Sequence, residues 1–160
     1  MQNFKAFWES NYYQHPDLTD EMIGIAEERL KVKLPESLIN LLKVMNGGYT
    51  QGFAFPMTVA TSWADNHIPL DSLNGIVIDN SVNTAFNLLD SSYMAQEWGL
   101  PEKQVLLSGD GHYWITLDYR DSSVPSIRWI DVECDLDIHV ADSFDEFLEG
   151  LVSEGLDAED

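Results

Sequence analysis

The chain has one cysteine, few basic residues and no long apolar stretch. Its 160 residues include 8 Lys and Arg against 28 Asp and Glu, which gives a formal net charge of −20. Because such a charge repels polyanions, the composition predicts no nucleic-acid partner and no membrane-surface partner. A single cysteine can form no intrachain disulfide, and no apolar run reaches the roughly 18 residues that span a bilayer. With no export leader at the start, the sequence predicts a cytoplasmic protein.

The acidic residues are concentrated toward the C-terminal end. No Lys or Arg follows Arg128, whereas 12 of the 28 acidic residues fall in the last 30 positions. A local negative field of this kind attracts basic protein surfaces. The alternative interpretation is that the acidity serves only solubility, as it does in many acidic proteins.

Apolar periodicity and turn residues predict one α+β domain. At 44% hydrophobic residues the chain can bury a core of its own. Helical spacing predicts helices that begin after Thr19, at Pro35 and after Ser143, with Asn46-Gly47-Gly48 as a left-handed C-cap. Short turns join β segments at 104–108, 112–119 and 127–132, which favours an antiparallel meander. We expect a mainly antiparallel central sheet with helices packed against it over residues 1–155, followed by an acidic tail at 156–160.

Acidic and apolar residues alternate from Asp131 to Ile138. In a β-strand this pattern places four carboxylates on one face, those of Asp131, Glu133, Asp135 and Asp137. Such a face can meet a basic partner, or it can belong to an edge strand whose charges discourage aggregation. The pattern does not fit a calcium-binding EF-hand loop, because Leu136 falls where that loop requires glycine.

Aromatic side chains near these acids are candidate contact residues. Tyr113 and Trp114 point to opposite faces of a strand, so one can enter the core while the other stays exposed. We expect Trp129 and Tyr49 to lie nearby. Aromatic rings among carboxylates suit the Arg and Lys side chains of a partner, although core packing also explains each ring singly.

Motifs for catalysis and metal binding are missing. No Ser elbow, phosphate loop or dinucleotide-binding glycine pattern occurs, and the four histidines and one cysteine have no zinc-site spacing. Cys134 is interpreted as a small core residue. Asp110 and Asp118 are better explained by turn and hydrogen-bonding roles than as an acid pair for glycoside hydrolysis. The sequence predicts no enzyme, no cofactor and no metal.

Three short motifs in a fixed order carry a resemblance to a known family. They are Gly109-Asp110-Gly111 between the apolar runs of residues 106–120, the helix-ending Asn46-Gly47-Gly48, and the late 143–147 segment Ser-Phe-Asp-Glu-Phe. Together they resemble the SUKH superfamily, which contains yeast cell-wall assembly regulators and bacterial immunity proteins that silence a protein toxin. The resemblance implies an α+β fold and a non-catalytic binding protein.

The resemblance and the charge together predict an immunity protein for a cognate toxin with a basic surface. A nuclease is the favoured toxin, because enzymes that grip nucleic acid carry Lys and Arg clusters. The alternatives are a regulatory scaffold like the cell-wall members and, third, an unrecognised enzyme. The sequence leaves the oligomeric state open. The predicted partner-binding residues are Tyr49, Asp110, His112, Tyr113, Trp114, Asp118, Trp129, Asp131, Glu133, Asp135 and Asp137.

Overall fold

A computed structural model describes residues 4–11, 13–79, 87–109 and 111–153. The predicted acidic tail at 156–160 and Asp110 lie outside these ranges. Within them, a short 3-10 helix at Leu88–Asp90 leads into the fourth helix. The helices are α1 (Phe4–Phe7), α2 (Asp20–Leu30), α3 (Glu36–Val44), α4 (Ser91–Trp98) and α5 (Phe144–Gly150).

The strands form two antiparallel sheets, so the predicted α+β class is confirmed. A three-stranded sheet has the order β2-β1-β7, and a four-stranded sheet has the order β3-β4-β5-β6. The segments predicted to pair around Val105, Ile115 and Ile127 do so, with Val105 opposite Leu117 and Leu117 opposite Ile127. The strands are β1 (Gly48–Pro56), β2 (His67–Leu73), β3 (Gln104–Gly109), β4 (Trp114–Asp118), β5 (Ser126–Asp131), β6 (Leu136–Ala141) and β7 (Val152–Ser153).

One hydrophobic cluster joins the helices to one face of the four-stranded sheet. From the helices it takes the apolar stripes of α2 and α3 and the Phe144 and Phe147 rings of α5. Because side chains alternate along a strand, every second residue of β3, β4 and β5 enters this core. The cluster residues from the four-stranded sheet are Val105, Leu107, Ile115, Leu117, Ile127 and Trp129, with Val140 and Ala141 from β6. Between them, Thr116, Asp118 and Arg128 face the other side.

The helix starts follow the sequence, but one helix end does not. Thr19 Oγ1 accepts the Met22 N–H at 3.2 Å, and Ser143 Oγ accepts the Glu146 N–H at 3.1 Å, so both predicted N-caps are confirmed. The predicted left-handed C-cap after α3 is wrong, because the capping residue Met45 is extended (φ −149°). Gly47 has φ +88°, and a Cβ there would lie 2.5 Å from the Gly75 nitrogen. Only glycine therefore allows the chain segments at Gly47 and Gly75 to approach this closely.

The buried side chain of Asn46 hydrogen-bonds to the segments around Pro16 and Ile76. Its side-chain nitrogen donates to the carbonyls of Pro16 at 2.8 Å and Ile76 at 2.7 Å, while its side-chain oxygen accepts the Ile76 N–H at 2.8 Å. The Asn46 carbonyl lies 2.7 Å from His15 Nδ1. Asn46 is buried, and both its side-chain N–H groups and its side-chain oxygen are hydrogen-bonded. It therefore joins its own segment to those of Pro16 and Ile76.

The acidic alternation from Asp131 to Ile138 is not one strand. β5 ends at Asp131, residues 132–135 form a turn, and β6 begins at Leu136 opposite Asp131. The turn forms because the Asp131 carboxylate accepts the Cys134 N–H at 3.0 Å, a bond that competes with an extended strand. The predicted single face of four carboxylates is therefore wrong. So is the predicted core position of Cys134, which is exposed in the turn.

Candidate functional site

Three aromatic rings form a column from the core to the surface. The Tyr113 ring lies parallel to the buried Trp129 ring, with centroids 4.3 Å apart and 10° between the planes. Trp63 meets Tyr113 edge-on at 5.8 Å, and 46% of Trp63 is exposed. Stacked and edge-to-face contacts of this kind fix ring orientation. The aromatic column of Trp129, Tyr113 and Trp63 thus presents a rigidly supported indole to solvent.

The loop that carries Trp63 is held by hydrogen bonds. Thr61 Oγ1 accepts the Trp63 N–H at 3.1 Å, which closes a local turn. Ser62 Oγ accepts the indole N–H of Trp129 at 3.3 Å, and the Ser62 hydroxyl in turn donates to Asp131. The loop between β1 and β2 is therefore joined to the β5–β6 turn through the column itself.

Asp131 is a structural acid. Burial alone would raise the pKa of its carboxyl, but hydrogen bonds from the Ser62 hydroxyl and from Cys134 hold the pKa below its ordinary value. The residue is only 5% exposed. Its charge supports the turn, and the acids available to a partner are its neighbours Glu133 and Asp135, both exposed.

His112 connects the turn to the column. Its Nδ1 lies 3.5 Å from Glu133 Oε2, a contact that becomes an ion pair when the imidazole is protonated. His112 precedes Tyr113, so acid, imidazole and aromatic rings form one patch. We call it the Trp63 surface, and it consists of Trp63, His112, Tyr113, Glu133 and Asp135.

Asp118 and Asp137 belong to a different arrangement on the outer face of the four-stranded sheet. Arg120 contacts both acids, with Nε 2.9 Å from Asp118 Oδ1 and Nη2 2.9 Å from Asp137 Oδ2. Arg128 Nε lies 2.7 Å from Asp137 Oδ1. Gln104 Nε2 donates to Asp118 Oδ1 at 2.8 Å. Both carboxylates are thus paired with arginines of the same chain.

The pKa of Asp118 reflects this network. Burial alone would raise it, but hydrogen bonds from the Arg120 side chain and backbone and from Gln104, with the Arg120 charge, bring the pKa below its ordinary value. At 6% exposure, Asp118 presents almost nothing to solvent.

Two predicted aromatic residues lie apart from the column. Trp114 is 5% exposed and packs on the opposite side of β4 from Ile115, the partner of Trp129. Tyr49 lies on β1, where its hydroxyl is 3.0 Å from that of Tyr13 and its backbone pairs with Ser72. Of the predicted set, the structure brings together His112, Tyr113, Trp129, Asp131 and Glu133, with Asp135 in the same turn.

Sequence reasoning missed Trp63 and Ser62. Both lie in a loop of small and polar residues, Thr61-Ser-Trp-Ala-Asp-Asn66. The sequence feature that could have identified Trp63 is a single large aromatic residue in an otherwise polar loop. Such a residue has no strand or helix face to bury it.

The described residues offer little for chemistry. Among residues 4–11, 13–79, 87–109 and 111–153, no three His, Cys, Asp or Glu side chains are grouped to hold a metal ion. Desolvation and the charges of Asp131 and Glu133 raise the pKa of the Cys134 thiol, so the reactive thiolate is disfavoured. No helix in this part of the chain combines the length and the apolarity needed to cross a membrane.

The fold and the Trp63 surface define an α+β module with an exposed aromatic and acidic patch. The family model described as the SMI1 / KNR4 family (SUKH-1) matches residues 17–150. The chain therefore belongs to the SMI1 / KNR4 family (SUKH-1), which confirms the predicted superfamily. Proteins of this family are, in general, non-catalytic immunity or regulatory modules. No curated protein matches the chain.

Proposed function

We propose that this chain is an immunity protein that binds the basic region of a cognate toxin domain through the Trp63 surface and blocks it by occupancy. The observation that carries the proposal is the exposed Trp63 indole, which is supported by Tyr113 and Trp129. The exposed carboxylate of Glu133 lies against His112, the neighbour of Tyr113. An aromatic face beside carboxylates binds guanidinium and ammonium groups by cation–π and charge interactions together.

The charge distribution supports a basic partner. Glu133 and Asp135 lie in the stretch after Arg128 that contains no Lys or Arg, within a chain of net charge −20. A negative field accelerates encounter with a positive surface and disfavours acidic competitors. A nuclease fits as the toxin, because its nucleic-acid site must itself be basic.

The contact set differs from the one that the sequence suggests. We assign partner contact to Trp63, His112, Tyr113, Glu133 and Asp135. We keep Asp110 as a candidate because it lies two positions before His112 in the sequence. In this proposal Trp129 and Asp131 support the surface from below. Asp118 and Asp137 are paired with arginines, and the Tyr49 hydroxyl contacts that of Tyr13. Trp114 is buried. These four residues are therefore assigned no contact.

The test identifies a toxin gene adjacent to this one and measures binding of its toxin domain by isothermal titration calorimetry. Trp63→Ala should weaken binding by about 30-fold, the effect of losing an interface hot spot. The matched control is Tyr93→Ala, which removes an aromatic ring that is 66% exposed on α4, and it should leave the affinity within about twofold. Equal affinity of the Trp63→Ala protein and the wild type would overturn the assignment. Capture of a host protein in place of a toxin would favour the regulatory alternative.

A further inference from the structure

A groove of about 1100 Å³ shares no lining residue with the Trp63 surface. It is bounded by the C-terminal end of α2, the end of α4 with the loop that follows, and residues 119–123. Pockets of about 300–1,000 Å³ hold a whole small ligand, so this groove has room for several residues of a peptide.

Half of the chain's basic residues line the groove. Of the 8 Lys and Arg residues, Lys31, Lys33, Lys103 and Arg120 line it. Arg120 is engaged by Asp118 and Asp137. Among the residues that the structure describes, no carboxylate lies within ion-pair distance of the Lys31, Lys33 or Lys103 ammonium groups. Four of the 8 basic residues of the chain thus line this one groove.

The backbone holds these lysines in place. The Tyr119 hydroxyl donates to the Lys33 carbonyl at 2.6 Å, and the Tyr119 N–H donates to the Lys103 carbonyl at 3.0 Å. Lys31 and Lys103 have left-handed backbones, with φ of 61° and 58°, a conformation that usually favours glycine or asparagine. The frame is therefore fixed while the ammonium groups remain available.

The groove also has an apolar floor. Leu30, Val32, Leu100 and Pro101 are half-buried along it, and Val105 is buried beneath. Three carboxylates, those of Glu27, Glu102 and Asp121, share the lining, so the groove is a mixed surface and not a continuous positive track. Glu27 Oε2 already accepts the Leu34 N–H at 2.7 Å. An apolar floor flanked by lysines fits alternating apolar and acidic side chains.

We propose that this groove binds an extended acidic peptide segment of a partner protein, with its carboxylates at Lys31, Lys33 and Lys103 and its apolar side chains on the floor. A nucleic acid fits less well, because its many phosphates would meet the negative field of the whole chain. A short segment is little affected by the acids outside the groove, since charges separated by more than about 8 Å are screened at physiological salt. The required partner chemistry is opposite to that of the Trp63 surface, so the two proposals can fail separately.

The test measures fluorescence anisotropy of labelled peptides with the full chain at physiological ionic strength, where the field of the distant acids is screened. An alternating Glu/Leu peptide should bind, whereas a Ser/Leu peptide of equal length and an oligothymidylate should not. The combined variant Lys31→Gln, Lys33→Gln, Lys103→Gln should bind the Glu/Leu peptide about tenfold more weakly. The matched control is Arg29→Gln, which removes an α2 cation that does not line the groove and should change the affinity by less than about twofold.

Two results would overturn the proposal. One is equal binding of the Glu/Leu peptide by the wild type and the triple variant, and the other is tighter binding of the Ser/Leu peptide or the oligothymidylate. If the triple variant does not fold, NMR titration of the wild type decides. The amide signals of residues 31–33 and 103 should then move on adding the Glu/Leu peptide, and unmoved signals contradict the site.

Discussion

The carboxylate of Asp131 accepts the backbone N–H of Cys134, three residues ahead of it, at 3.0 Å. The same carboxylate receives the Ser62 hydroxyl, which lies on the loop between β1 and β2. One buried acid therefore closes the β5–β6 turn and attaches it to the loop that carries Trp63. The turn acids and the exposed indole are held together by a residue that itself faces inward.

Replacing Asp131 should destabilise the protein in a pH-dependent way. At pH 7, Asp131→Asn should lower the free energy of unfolding by about 1.5 kcal/mol, because hydrogen bonds to a charged acceptor become neutral ones. The folded pKa lies below that of the unfolded chain, so this stabilisation is present above about pH 5 and is lost as the pH falls below about 4 toward the folded pKa.

Urea unfolding of both proteins at neutral pH and at about pH 3 measures this difference. The gap between wild type and Asp131→Asn should shrink in acid. The control Asp65→Asn changes an exposed acid in the neighbouring loop and should shift stability by less than about 0.5 kcal/mol at either pH. A gap of constant size across the pH range would contradict the role assigned to the Asp131 charge.

Removing Asp118 should weaken the fold without touching the Trp63 surface. Asp118→Ala deprives Arg120 and Gln104 of a buried acceptor, and we expect a loss of about 2 kcal/mol in urea unfolding. This loss of stability is smaller than that for breaking a fully buried ion pair, because Arg120 still pairs with Asp137 in the variant. Asp121→Ala, an exposed neighbour, is the control. A larger effect on toxin affinity than on stability would place Asp118 in the interface after all.

The exposed turn acids should act on the rate of association. Glu133→Gln with Asp135→Asn removes two charges from the Trp63 surface and should slow association with a basic toxin about fivefold at low salt. At about 0.5 M salt the Debye length falls to a few ångströms, so the wild type should slow toward the variant. Trp63→Ala should instead speed dissociation with little salt dependence.

Stopped-flow kinetics at two ionic strengths separates these effects. The control pair is Glu28→Gln with Glu36→Gln, which removes two exposed charges from α2 and α3. Equal association rates for the turn variant and the control pair would mean that only total charge matters. Asp131 and Asp137 are left unchanged, because both are bonded within the fold and their loss would mix stability with binding.

The sequence predicted the elements well because their evidence is local. Thr19 and Ser143 cap helices through bonds to residues three positions ahead, and short turns make the β3, β4 and β5 segments neighbours. The hairpin at Asp131 was missed because alternation of acidic and apolar residues is equally compatible with one strand and with two strands joined by a turn. Here a side-chain hydrogen bond decides between them.

The candidate site was predicted only in part, because tertiary contacts assemble it. Ser62 and Trp63 are more than 45 residues from Tyr113, and no periodic pattern links a loop aromatic to a strand. The sequence placed Asp118 among the predicted partner-binding residues, but in the structure Arg120 and Gln104 bind its carboxylate. Local patterns can identify acidic and aromatic residues, but they cannot tell which of them the fold uses for itself.

The packing of three chain segments depends on one side-chain amide, that of Asn46. Both its hydrogens go to carbonyl oxygens, of Pro16 and of Ile76. Conversion of that amide to a carboxylate, as in Asn46→Asp, would turn two donors into acceptors that face two other acceptors at a buried position. A change of one chemical group should thus loosen three chain segments together, although it alters no atom of the Trp63 surface.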